Sequence, residues 1–299
     1  DERRRINRAL WRRKIMMILS TIAELRKVVV NAKSSRQSIG LVPTMGYLHE
    51  GHLTLAKNAR EENDVVVMSI FVNPTQFGPN EDFESYPRDL ERDTKLATSV
   101  GVDYIFAPSV EEMYPHDGGI YIRAGRQAQT LCGASRPSHF DGVLQVVAKL
   151  FNLVQPDRAY FGQKDAQQVA IIQTMVRDYN FPVELRVVPV VREEDGLAKS
   201  SRNVYLSSIE RMQAPVIQQA LQIAKLELMD SGDVDKALAQ ATKIIEDNTV
   251  GKIDYLSILS YPDLKEVDEK SDQILLAAAV YIGKTRLIDN LIFSLKGEL

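Results

Sequence analysis

Two histidines, His49 and His52, lie in the run Pro43-Thr44-Met45-Gly46-Tyr47-Leu48-His49-Glu50-Gly51-His52. An apolar stretch before it, Ile39–Val42, reads as a buried strand, and Leu53–Ala59 after it reads as a helix. The imidazoles therefore fall at a helix N-terminus, where free N–H groups and the positive dipole end favour an anion. Gly46 and Gly51 let the backbone turn tightly and come close to a ligand. Together these groups suit the oxygens of a nucleoside triphosphate. A P-loop shares the glycine spacing but then requires Lys and Ser/Thr, where this chain has His52-Leu53. A zinc site would lack a third ligand nearby, since the lone cysteine, Cys132, is remote. The plainest alternative is a pair of surface histidines at a helix start.

The elements around this turn alternate. Strand-like runs are Ile39–Val42, Val65–Val72, Asp103–Phe106, Arg158–Phe161 and Val183–Val191, with helical stretches at Gly51–Glu62, Arg88–Ser99, Asp141–Val154 and Asp165–Tyr179. A further helix is expected just after Met16-Met17. Alternating βα units imply an α/β, doubly wound, Rossmann-like parallel sheet, with ligands beyond the carboxyl ends of its strands. Polar residues gather there: Asn73–Gly78 after the second run, Gly162–Asp165 after the fourth, Glu193–Gly196 and Lys199–Asn203 after the fifth. No GxGxxG fingerprint occurs, which disfavours a dinucleotide. After Asn203 the pattern changes to helices near Ile209–Leu228 and Asp233–Asn248, then strands near Ile253–Ile258, Gln273–Ile282 and Thr285–Ile292. Gly283-Lys284 suits a two-residue hairpin turn. The expected division is residues 17–190 as a nucleotide- and substrate-binding domain and 191–299 as a smaller α+β domain carrying a mobile Ser-Ser-Arg loop.

Other residues gain meaning from that placement. Lys164 lies at a strand–helix junction, an unfavourable spot for a cation unless an anion binds there. Ser200-Ser201-Arg202 reads either as a surface turn or as a phosphate clamp with charge-assisted bonds from Arg202. Gln76 and Gln168 read as surface amides or as ligand-facing groups. Gln168 falls three residues after Asp165, near the ligand end of its helix. His139, in the loop Leu131–Gly142, lines the same cleft or faces solvent, and His116 reads as solvated.

Composition sets bounds. A chain of 299 residues allows one large or two medium domains, and 44% hydrophobic with 26% charged content is that of a soluble globular protein. A single cysteine excludes an intrachain disulfide and suits a reducing compartment, so a cytoplasmic location is expected. No apolar run approaches the ~18 residues of a membrane span. Residues 1–16 carry a net +5, against −3 for the whole chain and hence −8 for residues 17–299. They read as an N-terminal extension or expression leader, with a basic membrane- or RNA-binding arm as the alternative. The acidic remainder argues against a nucleic-acid partner.

The HxGH run followed by a late Ser/Arg loop resembles the nucleotidyltransferases related to class I aminoacyl-tRNA synthetases. Residues 43–52 (PTMGYLHEGH), 71–88 (FVNPTQFGPNEDFESYPR), 136–143 (RPSHFDGV), 160–168 (YFGQKDAQQ) and 195–203 (DGLAKSSRN) together resemble the pantoate–β-alanine ligase family. HxGH alone is widely shared, whereas the NPTQFGPNEDF and SSRN segments at these intervals are far more specific. The resemblance runs from about Met17 to the C-terminus. It implies ATP-binding stretches at Met45–His52 (Met45, Gly46, Tyr47, Leu48, His49, Glu50, Gly51, His52), Gly162–Asp165 (Gly162, Gln163, Lys164, Asp165), Val191 and Lys199–Arg202 (Lys199, Ser200, Ser201, Arg202). It implies catalytic roles for His52, His49, Lys164 and Arg202, pantoate contacts at Gln76 and Gln168, a β-alanine contact at Gln76, and a Mg²⁺ ligand at Asp93. Arg92 and Leu96 beside Asp93 depart from the family pattern, and Lys199 stands where an apolar residue is common. The implied reaction is attack of pantoate carboxylate on the α-phosphorus of ATP, then attack of β-alanine on the pantoyl adenylate, by a homodimer. Phe71, Val143, Val146 and Val147 are expected to pack pantoate's gem-dimethyl group. A nucleotidyltransferase that stops after AMP or CMP transfer, and a non-catalytic nucleotide-binding protein, are the competing readings. The first would need a more basic acceptor site than the Gln-rich loop. The second is at odds with the full set of His, Lys, Ser and Arg.

Overall fold

The computed structural model describes residues 16–79, 81–116 and 118–295. All of residues 1–16 except Met16 lie outside the described residues, so the expected leader does too. Six parallel strands form one sheet: β1 (Met17–Leu19), β2 (Ile39–Thr44), β3 (Val65–Ile70), β4 (Tyr104–Phe106), β5 (Arg158–Gly162) and β6 (Glu184–Val188). Their spatial order is β1-β4-β3-β2-β5-β6. The helices are α1 (Ile22–Ser34), α2 (Glu50–Glu62), α3 (Leu90–Ser99), the short α4 (Val110–Met113) and α5 (Leu131–Ser135), α6 (His139–Val154) and α7 (Ala166–Asp178). Val65 and Val67 of β3 pack with residues of α1, α6 and α7, while Val66 and Met68 pack with residues of α2 and α3. A strand apolar at every position thus needs helices on both faces, as a doubly wound sheet supplies.

The strand order reverses between β2 and β5. Both flanking strands end in the polar turns singled out above, so the switch point of the sheet coincides with them.

The C-terminal region holds α8 (Ser208–Gln213), α9 (Val216–Ser231), α10 (Val234–Asn248) and an antiparallel sheet of β7 (Lys252–Ser260), β8 (Gln273–Ile282) and β9 (Thr285–Ser294) in that order. Ile217, Leu221, Leu228, Ala241 and Ile245 of α9 and α10 bury against Ile274, Leu276, Ala278 and Val280 of β8. Gly283-Lys284 makes the two-residue turn between β8 and β9, with Ile282 paired to Thr285.

Element boundaries differ from expectation in instructive places. β1 is an edge strand of three residues, too short for alternation to register, and α1 begins only after the Thr21 cap, whose hydroxyl and Glu24 form a capping box. The expected strand Val183–Val191 stops at Val188, before Pro189. The expected helix Ile209–Leu228 is broken between Gln213 and Val216, around Pro215. His139 opens α6 instead of lying in a loop.

Candidate active site

The first histidine caps α2. The Gly51 N–H donates to His49 Nδ1 (3.1 Å), and the His49 N–H donates to His52 Nδ1 (3.3 Å). Each ring thereby uses Nδ1 as an acceptor, which in a neutral imidazole leaves the proton on Nε2. Burial, reinforced by His52, Lys164, Lys199 and Arg92, lowers the His49 pKa to about 2. Burial and Lys164 lower that of His52 to about 4. The pair, with ring centroids 4.0 Å apart, is therefore neutral at physiological pH and acts as two hydrogen-bond donors rather than two cations.

The turn before the helix is held from behind. Gly46 (φ +83°) and Tyr47 (φ +49°) adopt left-handed backbone, and Asp93 of α3 accepts from the N–H groups of Tyr47 and Leu48, both at 2.7 Å. Asp93 is 1% exposed, and its pKa is raised because burial outweighs those bonds. Asp93 is absent from the cavity lining, and both its oxygens brace a backbone turn. Leu48 is buried in the core, Glu50 pairs with Lys57 at 2.8 Å, and the Tyr47 ring lies under the Arg92 guanidinium at 4.8 Å. These backbone-turn residues shape the site without lining it.

Gln76 is aimed by a network that sequence reasoning missed. Asn73, 1% exposed, donates through Nδ2 to Gln76 Oε1 (3.2 Å) and to the Gly142 carbonyl (3.1 Å). Its Oδ1 accepts from Tyr114 Oη (2.9 Å) and Thr75 Oγ1 (3.0 Å). Helix α6 comes so close that a Cβ on Gly142 would lie 2.3 Å from the Thr75 carbonyl oxygen. His139 meets the Gln76 carbonyl through Nδ1 (2.9 Å), and burial and Arg136 lower its pKa to about 4. The only readable signal for this network was the amide-rich composition of Asn73–Gln76.

On the other side of the switch point, Gln163, Lys164 and Asp165 form a single 3-10 turn before α7. Asn290 of β9 donates through Nδ2 to the carbonyls of Gln163 and Lys164, each at 2.9 Å, and Gln163 Nε2 donates to Asn290 Oδ1 (3.3 Å). Arg192 forms a two-pronged pair with Asp289 (2.6 and 2.8 Å), anchoring the strand-like hairpin that leads to Lys199. Lys199 itself pairs with Glu193 at 3.1 Å. Ser200 caps the following turn by accepting from the Arg202 N–H (3.2 Å), and Ser201 Oγ lies 3.1 Å from Tyr86 Oη.

One cavity gathers most of the expected residues. Met45, His49, Gly51, His52, Gln76, Gly162, Lys164, Asp165, Gln168, Val191, Lys199, Ser200, Ser201 and Arg202 all line it. Phe71, Val143, Val146 and Val147 complete an apolar wall. Donors suited to a polyphosphate thus share one cavity with an apolar wall and the amides of Gln76 and Gln168.

A family model described as pantoate-beta-alanine ligase matches residues 17–292. The chain belongs to the pantoate–β-alanine ligase family. It is 70% identical over 284 residues to a pantothenate synthetase of Lysinibacillus sphaericus, covering 95% of this chain and 100% of that one. It is 53% identical to the Bacillus subtilis pantothenate synthetase, covering 94% and 98%. Among solved structures, a pantothenate synthetase from Thermus thermophilus superposes with a TM-score of 0.86 at 48% identity, covering 92% of this chain and 99% of that one. A pantoate–β-alanine ligase from Francisella tularensis, described as complexed with β-γ ATP and β-alanine, gives 0.76 at 36% identity, covering 95% and 99%.

Proposed function

We propose that this chain joins pantoate and β-alanine to make pantothenate, driven by ATP through a pantoyl adenylate. The observation that carries this reading is the cavity at the switch point. Its phosphate-suited wall (His49, His52, Lys164, Ser200) meets an apolar wall that bears Gln76 and Gln168. In the first step the pantoate carboxylate attacks the α-phosphorus and pyrophosphate leaves. Anions are brought together, so the residues act by position and by compensating charge. His49 and His52 donate Nε2–H to phosphoryl oxygens, and Lys164 supplies the cation. Gln76 and Gln168 orient the hydroxyls of pantoate while Phe71, Val143, Val146 and Val147 pack its methyls. In the second step the β-alanine amine attacks the acyl carbon, with Gln76 as its contact, and AMP leaves. Exclusion of water from the apolar wall protects the adenylate.

The same reading takes Asp93 as a brace for the Tyr47–Leu48 turn. Mg²⁺, implied by the family, would help offset the negative charge of the triphosphate. It includes the division at residues 190 and 191, a cytoplasmic location and a homodimer. Sedimentation of the purified chain tests the last of these. The central test is incubation with ATP, pantoate and β-alanine, scored for AMP and pyrophosphate. β-Alanine-dependent AMP release supports the ligase. Nucleotide transfer without β-alanine dependence would overturn it.

A further inference from the structure

Two adjacent carboxylates, Glu81 and Asp82, have no part in the chemistry above, yet each grips an arginine of the cavity. Glu81 accepts from Nε and NH2 of Arg136 at 2.5 and 2.6 Å. Asp82 accepts from Nε and NH2 of Arg202 at 3.1 and 2.9 Å. Arg202 lines the same cavity as His52 and Lys164. A guanidinium presents five N–H groups in a rigid plane, and Asp82 takes one edge of it. Among the described residues the remaining edge, with Nη1, has no hydrogen-bond partner and can meet an anion in a fixed orientation. The turn carrying Arg202 has its own ties to the same loop: Tyr86 Oη to Ser201 Oγ, and Tyr205 Oη donating to the Ser85 carbonyl at 3.2 Å. The turn thus has ties of its own, and Asp82 grips the guanidinium itself. A long, rotamer-rich side chain loses that aim without a partner.

We propose that Asp82 is the positioning residue for Arg202, setting its guanidinium so that the free edge meets the triphosphate as adenylate forms. The inference rests on the ligase reading. It makes Asp82 a determinant of the first half-reaction, acting only through Arg202. The opposite role, a latch that withholds Arg202 from the nucleotide, predicts the opposite sign on removal.

The test is a double-mutant cycle with Asp82→Ala, Arg202→Ala and the double variant. It reads pyrophosphate release from ATP plus pantoate, and AMP release from synthetic pantoyl adenylate plus β-alanine. Asp82→Ala is expected to lower kcat of adenylate formation by about 10- to 100-fold, the scale of misplacing a reacting partner. In the Arg202→Ala background the same change is expected to matter by less than about twofold, because its target is gone. AMP release from the synthetic adenylate should hold in Asp82→Ala. Asp82→Asn keeps one acceptor and a near-identical shape, so it should fall between, and it serves if the alanine variant folds poorly. Equal losses in both backgrounds, or equal losses in both half-reactions, would reduce Asp82 to a structural residue. Unchanged or faster adenylate formation in Asp82→Ala would make it a latch or a bystander. An inactive wild type would overturn the ligase reading itself, which sets that failure apart from failure of the Asp82 role.

Discussion

Replacing His52 by alanine separates what the histidine does for the fold from what it does for the reaction. For the fold, the change removes the Nδ1 acceptor of the His49 N–H, a bond of 3.3 Å at the start of α2. Loss of such a capping partner costs about 0.5–2 kcal/mol, and the length of this bond argues for the lower end. For the reaction, it removes a preorganised Nε2–H donor. Such a loss lowers kcat by about 10²–10³, or about 2.7–4 kcal/mol of barrier. The rate should therefore suffer far more than the stability, and ATP affinity should change less than either step of catalysis. The neutral state of the ring sharpens the expectation. With a pKa lowered to about 4, His52 is already deprotonated throughout the neutral range. His52→Gln, which keeps a neutral donor, should recover part of the rate. The wild-type rate should not fall as pH rises through 6.5 on account of this residue. The assay is pyrophosphate release from ATP and pantoate, paired with urea unfolding. Near wild-type release in His52→Ala would refute the argument. So would a rate that declines as pH climbs from 6 to 7.5 in the wild type but not in His52→Gln, since a cation would then be the working form.

Lys164→Ala should weaken both ATP binding and adenylate formation, and Lys164→Gln should not restore them, because charge is what the phosphates require. Equal calorimetric affinities would count against this. Gly142→Ala would place a methyl 2.3 Å from the Thr75 carbonyl oxygen and 2.6 Å from the Gln76 nitrogen, both backbone atoms. Overpacking of that kind costs about 1–3 kcal/mol, and pantoate KM should rise with it; an unchanged urea midpoint would show that the Pro74–Gln76 turn can retreat. Asp93→Asn loses one of two charge-assisted acceptors, so thermal stability should drop while the Mg²⁺ dependence of the rate keeps its midpoint. A shifted midpoint would restore Asp93 as a ligand. Finally, His49, His52 and His139 all titrate below the ordinary 6.5 in the folded state. The unfolded chain then binds more protons as pH falls below 6.5, so stability is full above that value and declines toward pH 4, by up to about 1.4 kcal/mol per pH unit for each ring. His139→Gln should flatten the slope; an identical slope would exclude that ring from the linkage.

The parts of the site that sequence revealed are those that a turn and its two flanking elements define locally. The His49–His52 cap, the Gly162–Asp165 turn and the Gly283-Lys284 hairpin each carry their own chemistry in consecutive residues. What stayed hidden depends on elements that meet only after folding. The bracing role of Asp93 shows only once α3 packs beside the Gly46 turn, where its oxygens find two amides. Asn73 and Gly142 acquire roles from each other's proximity, across residues that share no pattern. Arg136 and the Glu81–Asp82 pair lie in segments with no periodicity, so nothing local says which charge will face which. The three-residue β1 is a strand by virtue of β4 beside it, and no window of sequence that short distinguishes strand from coil.

The grip of Asn290 on the Gln163 and Lys164 carbonyls has a consequence for how the cleft exchanges its contents. Together with the Arg192–Asp289 pair it clamps the small sheet to the mouth of the large one, at the point where a hinge between them would have to bend. The C-terminal sheet is in this respect a fixed frame, and Lys164 is mounted on it. Any change of the cleft that leaves these bonds intact must keep the Gln163–Asp165 turn and β9 together.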